Sequence, residues 1–357
     1  MNIVQIMPEF GFAGAEIMCE ALTYELCLRG HRVTVISMYT YHSAITDRME
    51  SKGIDVRYLD KKPGWDGAMI RRIREVLRDV QADVVHTHRY CAQYAIPAAI
   101  RAKVPHRVHT LHSIAKKENG KLARRLNRIF FKRAGLIPVA LSDLVRETVE
   151  EEYRLPKERI PVILNGIDLS KCEPKASYEK GDCFRILHVG RFAEVKNHMG
   201  LLAAFATFHQ KHADSELWLI GDGETREAAE NCAAELGIKA HVRFLGLRDD
   251  VHRQMSEADL FTLPSLYEGI PMTLIEAMGT GLPIVASEVG GIPDMLTDGE
   301  NALLVEPKPE EICAAFERYY EDEKLRELHG TRAKARSVAF SAATMAEKYE
   351  ELYNSKL

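Results

Sequence analysis

The 357-residue sequence predicts an α/β protein made of two doubly wound halves, each a parallel sheet with helices on both faces. Three observations carry this reading. Short apolar runs alternate with longer helical patterns from Ile3 to Leu164 and again from Phe184 to Val305, and alternation sustained that far implies parallel strands joined by crossover helices. A polar stretch, residues 169–182, with Pro174 and several charges, breaks the alternation midway. The length also fits two cores better than one. The domains therefore read as 1–168, a linker over 169–182, and 183–341, with a cleft between the halves.

Taken in order, Ile3–Met7 is a short apolar strand and Pro8–Gly14 a loop with Gly11 and Gly14. A helix follows from about Ala15 to Arg29, stopped by Gly30, and His31–Ile36 is the next strand. Gly11-x-x-Gly14 lacks the third glycine and the ribose-binding acid of the dinucleotide fingerprint. It either lets an anionic ligand approach the backbone or is a plain tight turn. Further strands are expected at Asp55–Leu59, Asp83–Thr87, Arg107–Leu111, Leu136–Leu141 and Pro161–Leu164, with helices such as Gly67–Val80, Gln93–Ala102, Lys121–Arg133 and Asp143–Glu152 between them. The second series places strands at Phe184–Val189, Glu216–Ile220, Val242–Leu245, Asp259–Leu263, Pro283–Ala286 and Ala302–Val305. The tail, Ala342–Tyr353, is helical.

The densest chemistry lies between Pro264 and Gly279, a strand–turn–helix–strand unit. Pro271 suits the first helical position, where its missing N–H is an orphan anyway, and Gly281 and Pro283 close the helix. Glu268 sits in the turn and Glu276 about a turn and a half inside, leaning back toward the N-terminus. The N–H groups of Gly269, Ile270, Met272 and Thr273 are free to meet a phosphate or developing negative charge. Donors for phosphate beside acceptors for hydroxyls describe a nucleotide-sugar site. The competing reading makes both acids solvated helix-surface groups. Against it, Leu274, Ile275, Ala277 and Met278 indicate a helix buried on most sides, where a lone Glu needs a partner.

Other loops fall at the same carboxyl edge of the sheets, where open α/β folds bind ligands. Gly190 allows close backbone approach, and Arg191 and Lys196 follow it. Arg offers a fork and Lys a point charge, suited to a diphosphate leaving group, although two solvated cations in a loop is the plain alternative. Gly221 either lines a nucleotide or turns the chain. The backbone at Gly246-Leu247 can offer an N–H and a C=O to a base edge. In the first half, His86-Thr87-His88 ends one strand and His109-Thr110-Leu111-His112 another, with His112 at the strand end facing the cleft.

Together these residues resemble glycosyltransferase family 4, the retaining enzymes of the GT-B fold, over nearly the whole chain. The most specific piece is Glu268 to Glu276, similar to the family's E-x7-E motif, followed by Ala277-Met278-Gly279-Thr280-Gly281-Leu282-Pro283. Gly190-Arg191 with Lys196-Asn197 resembles its phosphate-binding loop, Asn165-Gly166-Ile167-Asp168 the segment before its linker, and Thr110-Leu111-His112 its donor-site histidine. The resemblance implies two Rossmann-like domains facing across a cleft, a first domain on the acceptor side and a second holding the donor. The C-terminal helix, 342–357, would return to the first domain. It implies that Arg191 and Lys196 grip the donor diphosphate, Glu276 binds the ribose, Glu268 holds the sugar hydroxyls, His112 positions the sugar, and Gly14 lies near phosphates and acceptor. It implies no metal or other cofactor, in line with the lack of metal-ligand spacing. One departure is Gly269-Ile270-Pro271, where the family often has Phe-Gly after the first Glu.

The activity so implied is transfer of a sugar from a nucleotide diphosphate donor, UDP-sugar by family frequency, to an acceptor hydroxyl with anomeric retention, in bacterial surface polysaccharide or glycolipid synthesis. A glycosidase would need its two carboxyls across a scissile bond, one of them protonated. An epimerase or phosphorylase of the same fold, and a non-catalytic sugar-nucleotide-binding protein, stay open.

Composition sets the surroundings. No run approaches 18 apolar residues, no signal peptide is evident, and seven scattered cysteines without C-x-x-C read as reduced thiols in the cytoplasm. Residues 1–165 carry 27 basic and 19 acidic groups, and residues 166–357 carry 21 and 33. The basic excess is concentrated from Lys116 to Arg133, with Lys116, Lys117, Lys121, Arg124, Arg125, Arg128, Lys132 and Arg133 against Glu118. Leu122, Leu126, Ile129 and Phe130 form an apolar stripe there, expected on the core with a solvated basic face. Alternatively, the helix meets anionic membrane peripherally and brings a lipid-linked or glycan acceptor within reach. Nucleic acid is not expected, since no stacking aromatics are interleaved.

Overall fold

The apolar runs are buried almost end to end. Asn2–Met7 (β1) and Arg32–Ser37 (β2) each contain five consecutive buried residues, the pattern of strands covered on both faces. In the computed structural model, which describes residues 1–11, 14–118 and 120–355, they join Asp55–Tyr58 (β3), Val84–His88 (β4), His106–Leu111 (β5) and Leu136–Ala140 (β6). The resulting all-parallel sheet has the order β3-β2-β1-β4-β5-β6. Its helices are α1 (Gly14–Leu28), α2 (Ala44–Ser51), α3 (Ala68–Asp79), α4 (Ala92–Ala102), α5 (Ala115–Glu118), α6 (Lys121–Arg133) and α7 (Asp143–Tyr153).

The second series repeats the plan. Its strands are β7 (Phe184–Val189), β8 (Ser215–Ile220), β9 (Val242–Gly246), β10 (Leu260–Leu263), β11 (Ile284–Ser287) and β12 (Leu303–Val305), ordered β12-β11-β10-β7-β8-β9. Helices α8 (His198–Lys211), α9 (Arg226–Glu235), α10 (Val251–Glu257), α11 (Met272–Thr280), α12 (Ile292–Met295), α13 (Pro309–Glu321) and α14 (Glu323–Ser337) cover it, and α15 (Ala342–Asn354) ends the chain. Each sheet has the order of a Rossmann fold, reversing direction between its first and fourth strands. Ligands bind such sheets beyond the strands' carboxyl ends at that reversal. It falls at β1/β4 in one sheet and β7/β10 in the other.

The chain divides into two compact units, Met1–Gly166 with Ala342–Leu357, and Ile167–Ser341. Helix α15 belongs to the first. Tyr349 and Tyr353 are fully buried there. The Tyr353 hydroxyl lies 2.7 Å from His86 Nδ1, and that of Tyr349 lies 2.7 Å from Thr110 Oγ1. Residues 356 and 357 of the expected tail lie outside the described residues, as do residues 12 and 13 of the expected Pro8–Gly14 loop and residue 119 of the basic stretch. No described helix is long and apolar enough to cross a membrane, and all seven cysteines are free.

Several expectations need correction. Pro161–Leu164 is not a strand. It makes one bridge, Val162 to Ala140, because Pro161 accepts from Ala140 N–H but has no N–H of its own to extend the ladder. The 169–182 segment packs on the second unit. Cys172 is buried beside Gly279, where a Cβ would come 2.8 Å from its Sγ. Lys175 Nζ donates to the Ala258 carbonyl at 2.6 Å and the Tyr178 hydroxyl to that of Gly281 at 2.8 Å. Pro271 is the extended residue before α11, one position earlier than expected. The stripe on α6 is split: Phe130 packs against the core and Leu126 is half-buried, but the other two members face outward. Leu122 is 72% and Ile129 51% exposed, while Asn127 and Phe131 are buried. Arg124 and Arg128 reach down to Glu152, and these bonds fix the rotation of the helix.

Candidate functional site

The loops after β7 and β10 meet at the reversal point of the second sheet. Gly190 N–H donates to the Ile220 carbonyl at 3.0 Å and Phe192 N–H to that of Asp222 at 2.9 Å. Gly221 has φ +135, and a Cβ on it would stand 2.0 Å from the Gly190 carbonyl oxygen, so only glycine permits the two loops to lie together. After Arg191, which is exposed, a single turn over Glu194–Lys196 leads to Asn197 in the left-handed region, φ 56. Asn197 Oδ1 accepts from Gly200 N–H at 3.2 Å and caps α8. Its Nδ2 donates to the carbonyls of Pro264 and Pro307 at 3.1 and 3.2 Å. Leu266 N–H donates to the Val195 carbonyl at 2.8 Å. These bonds tie the first loop to the second.

The outcome is a close ion pair. Lys196 Nζ lies 2.6 Å from Glu268 Oε1, with the side chains 17% and 10% exposed. The buried Ser265 hydroxyl donates to the same oxygen, also at 2.6 Å. The Glu268 backbone is clamped from behind. Gly291 N–H donates to its carbonyl at 3.2 Å, and a Cβ on Gly290, φ +58, would fall 1.8 Å from that carbonyl oxygen. Glu268 Oε2 and the amides of Gly269, Ile270, Met272 and Thr273 have no hydrogen-bond partner among the described residues. A lysine, an exposed arginine after the same strand and an uncapped nine-residue helix together favour an anion. The carboxylate oxygen beside them accepts from hydroxyls.

Glu276, on α11, is in a different condition. Burial pushes its carboxyl up to about 7, opposed by the charge of Lys171. An enclosed acid of that kind is ready to ionise when donors arrive. Leu247, after β9, is 81% exposed.

In the first unit, β4 ends in His88, and His112 directly follows β5. His112 N–H and Ser113 N–H donate to the two oxygens of Glu118 at 3.1 and 3.4 Å. Burial raises Glu118 to about 7 against those amides and lowers His112 to about 3, so the imidazole is neutral. Gly14 is the exposed first residue of α1, with open space around it.

The geometry brings Lys196 and Glu268 into contact, and places Gly190, Arg191, Gly221, Gly269 and Ile270 in the loops around them. It also identifies groups that motif reading passes over. Ser265, three residues before Glu268, follows an S-x-x-E spacing. The Gly290-Gly291 pair after β11 is a signal for close backbone contact. Glu118 accepts from amides only five and six residues before it but belongs to no motif, and His88 has no local signature because its partners, Gln5 and His112, lie far away in sequence.

Comparison with known proteins identifies the family. The family model described as Glycosyltransferase Family 4 matches residues 12–171, and that described as Glycosyl transferases group 1 matches residues 172–336. The chain belongs to the family 4 glycosyltransferases. A relative in Escherichia coli, UDP-Gal:alpha-D-GlcNAc-diphosphoundecaprenol alpha-1,3-galactosyltransferase, is 27% identical over 78% of this chain and 77% of its own. Among solved structures, a glycosyltransferase from Rickettsia africae matches with a TM-score of 0.86 at 19% identity over 99% of both chains. Anabaena HepE in complex with UDP matches with a TM-score of 0.84 at 21% identity over the full length of both. The fold is GT-B, and the protein is a glycosyltransferase.

Proposed function

We propose that this glycosyltransferase moves a hexose-type sugar from a UDP-sugar to the hydroxyl of a lipid-linked or glycan acceptor of bacterial surface polymers, with retention at the anomeric carbon. The observation that carries the reading is the Lys196–Glu268–Ser265 cluster beside four free amides at the start of α11. In this reading Arg191, Lys196 and those amides hold the diphosphate and take up the charge that develops as it leaves. Glu268 Oε2 accepts from sugar hydroxyls, and Glu276 accepts from the ribose diol and ionises on doing so. His112 meets the donor sugar. The leaving phosphate, held by cations, is itself the base for front-face attack, and a metal has no assigned task.

UDP in the solved structure of HepE supports the donor base, and the diphosphoundecaprenol acceptor named for the E. coli relative supports a lipid-linked acceptor. The outward face of α6 adds a means of reaching one. Exposed Leu122 and Ile129 stand among exposed Lys121, Arg125, Lys132 and Arg133, the composition of a helix that lies on anionic lipid.

A panel of nucleotide sugars tests the reading. UDP-sugars should raise the melting temperature, and transfer should continue in EDTA and give a product of unchanged anomeric configuration by proton NMR. Stabilisation by no nucleotide sugar, or an inverted product, would refute it.

A further inference from the structure

Two histidines, His88 at the end of β4 and His112 just after β5, lie at the carboxyl edge of the first sheet, and a chain of hydrogen bonds behind them sets which nitrogen each one protonates. The chain begins at Thr23 in α1. Its hydroxyl has a single proton and gives it to the Cys19 carbonyl at 2.8 Å. Thr23 Oγ1 can then only accept from Gln5, 3.0 Å away, so the Gln5 amide nitrogen faces Thr23. The Gln5 carbonyl oxygen consequently faces the other way, where it accepts from the Cys19 thiol at 3.3 Å and from His88 Nε2 at 3.1 Å. His88 is completely buried, and burial among the other histidines holds it neutral. With its proton on Nε2, its Nδ1 is a bare acceptor. That nitrogen lies 3.0 Å from His112 Nε2, which must therefore carry the proton of His112. A neutral imidazole has one N–H, so His112 Nδ1 is left with a lone pair.

Neighbouring groups do not compete for this assignment. His86 is engaged by Thr110 at Nε2 and Tyr353 at Nδ1, and His109 by Thr87. Glu118 is taken up by the backbone amides of His112 and Ser113. His112 is part-exposed, and its Nδ1 has no hydrogen-bond partner among the described residues.

We propose that Gln5 and His88 are positioning residues that lock His112 in the Nε2–H tautomer, so that it presents a bare Nδ1 to accept a hydrogen bond from a hydroxyl of the donor sugar. The inference rests on the reading that His112 meets that sugar. It adds a specificity. A lone pair attracts a hydroxyl proton and repels an anionic oxygen, so the enzyme favours neutral sugars over sugars with a carboxylate at that point.

Long-range proton–nitrogen spectra of the 15N-histidine-labelled full-length protein test this at pH 7, with the His112 ring signals identified by their loss in His112→Asn. The wild type should have the Nε2–H pattern at His112. Gln5→Leu and His88→Leu should abolish or mix it, while His88→Asn, whose amide oxygen stands in for Nδ1, should retain it. The Nδ1–H or doubly protonated form in the wild type would overturn the proposal without reference to any variant, as would an unchanged tautomer in both leucine variants. In transfer assays His88→Leu should lose about tenfold in kcat/KM, the worth of one neutral hydrogen bond, and His88→Asn should recover most of it. A UDP-hexuronate should be a poorer donor than the corresponding UDP-hexose, and equal use of both would overturn the specificity. A wild type that transfers no sugar would refute the glycosyl-transfer reading, while the spectrum alone decides the tautomer.

Discussion

The two sheets share one strand order, yet their carboxyl edges are furnished in opposite ways. At the second, charge is retained and paired: Lys196 and Glu268 touch, and Ser265 and a helix N-terminus add dipoles. At the first, titratable groups are pressed toward neutrality, with His112 lowered to about 3 and Glu118 raised to about 7 by burial. One scaffold thus supports a charged surface where cations and free amides accompany the acid, and a neutral hydrogen-bonding surface where histidines are buried without counter-ions. The strand order supplies the place. The side chains behind it decide the electrostatics.

The largest test of this contrast is a cycle at Lys196 and Glu268. Lys196→Met should reduce transfer by ~10²–10³-fold. It should also cost about 3 kcal/mol in unfolding free energy, because a nearly buried carboxylate is left without its cation. Lys196→Met combined with Glu268→Met should recover part of that stability in denaturant titrations and none of the activity. A double variant as unstable as the sum of the two singles would mean that the pair is not coupled. Next, Gly290→Ala places a methyl group against the Glu268 carbonyl at positive φ. It should lower stability by about 2–3 kcal/mol, with activity falling through displacement of Glu268.

A smaller effect is expected from Glu276. Its carboxyl is raised to about 7 from an ordinary 4.5, so the free enzyme holds this proton below neutrality. Ribose hydroxyls donate best to the ionised form. Affinity for a UDP-sugar, whose diphosphate is already fully ionised, should therefore rise about tenfold between pH 6 and 8. Calorimetry should detect proton release near pH 6.5. The linkage to folding has the opposite sign. Between about 4.5 and 7 the folded chain binds a proton that the unfolded chain has lost, so this group's contribution to stability falls as pH rises. Glu276→Gln should remove both dependences. The smallest change in stability belongs to α6. Leu122→Ser with Ile129→Ser should alter it by under about 0.5 kcal/mol while weakening retention on anionic vesicles. Undiminished retention would dissociate this face from lipid.

Much of the fold is legible because strand burial and helix period are local. Phe184–Val189 and Lys121–Arg133 form with the expected limits. The failures have particular causes. Helix α2 begins with a capping box in which Thr46 stands where Glu or Gln is usual, so its start carries no familiar signature. On α6 Leu122 and Ile129 face solvent while Phe130 and Phe131 pack inward, with Arg124 and Arg128 drawn to Glu152. Period alone cannot anticipate such a choice between two amphipathic faces. At the site, Glu268 and Lys196 stand out as residue types at strand ends, but their 2.6 Å contact depends on Asn197 and Gly290-Gly291 holding loops separated by more than sixty residues. The histidine relay is less visible still, since Thr23, Gln5, His88 and His112 belong to one helix, two strands and a strand end.

The placement of α15 has a bearing on how the protein is made. Tyr349 and Tyr353 fill the interior against His86 and Thr110, and they are synthesised after the whole of the second unit. The unit synthesised first must therefore wait, with apolar sheet uncovered, while Ile167–Ser341 emerges and folds. Loss of α15 would strike the unit formed by residues 1–166, not the one that immediately precedes the helix in sequence.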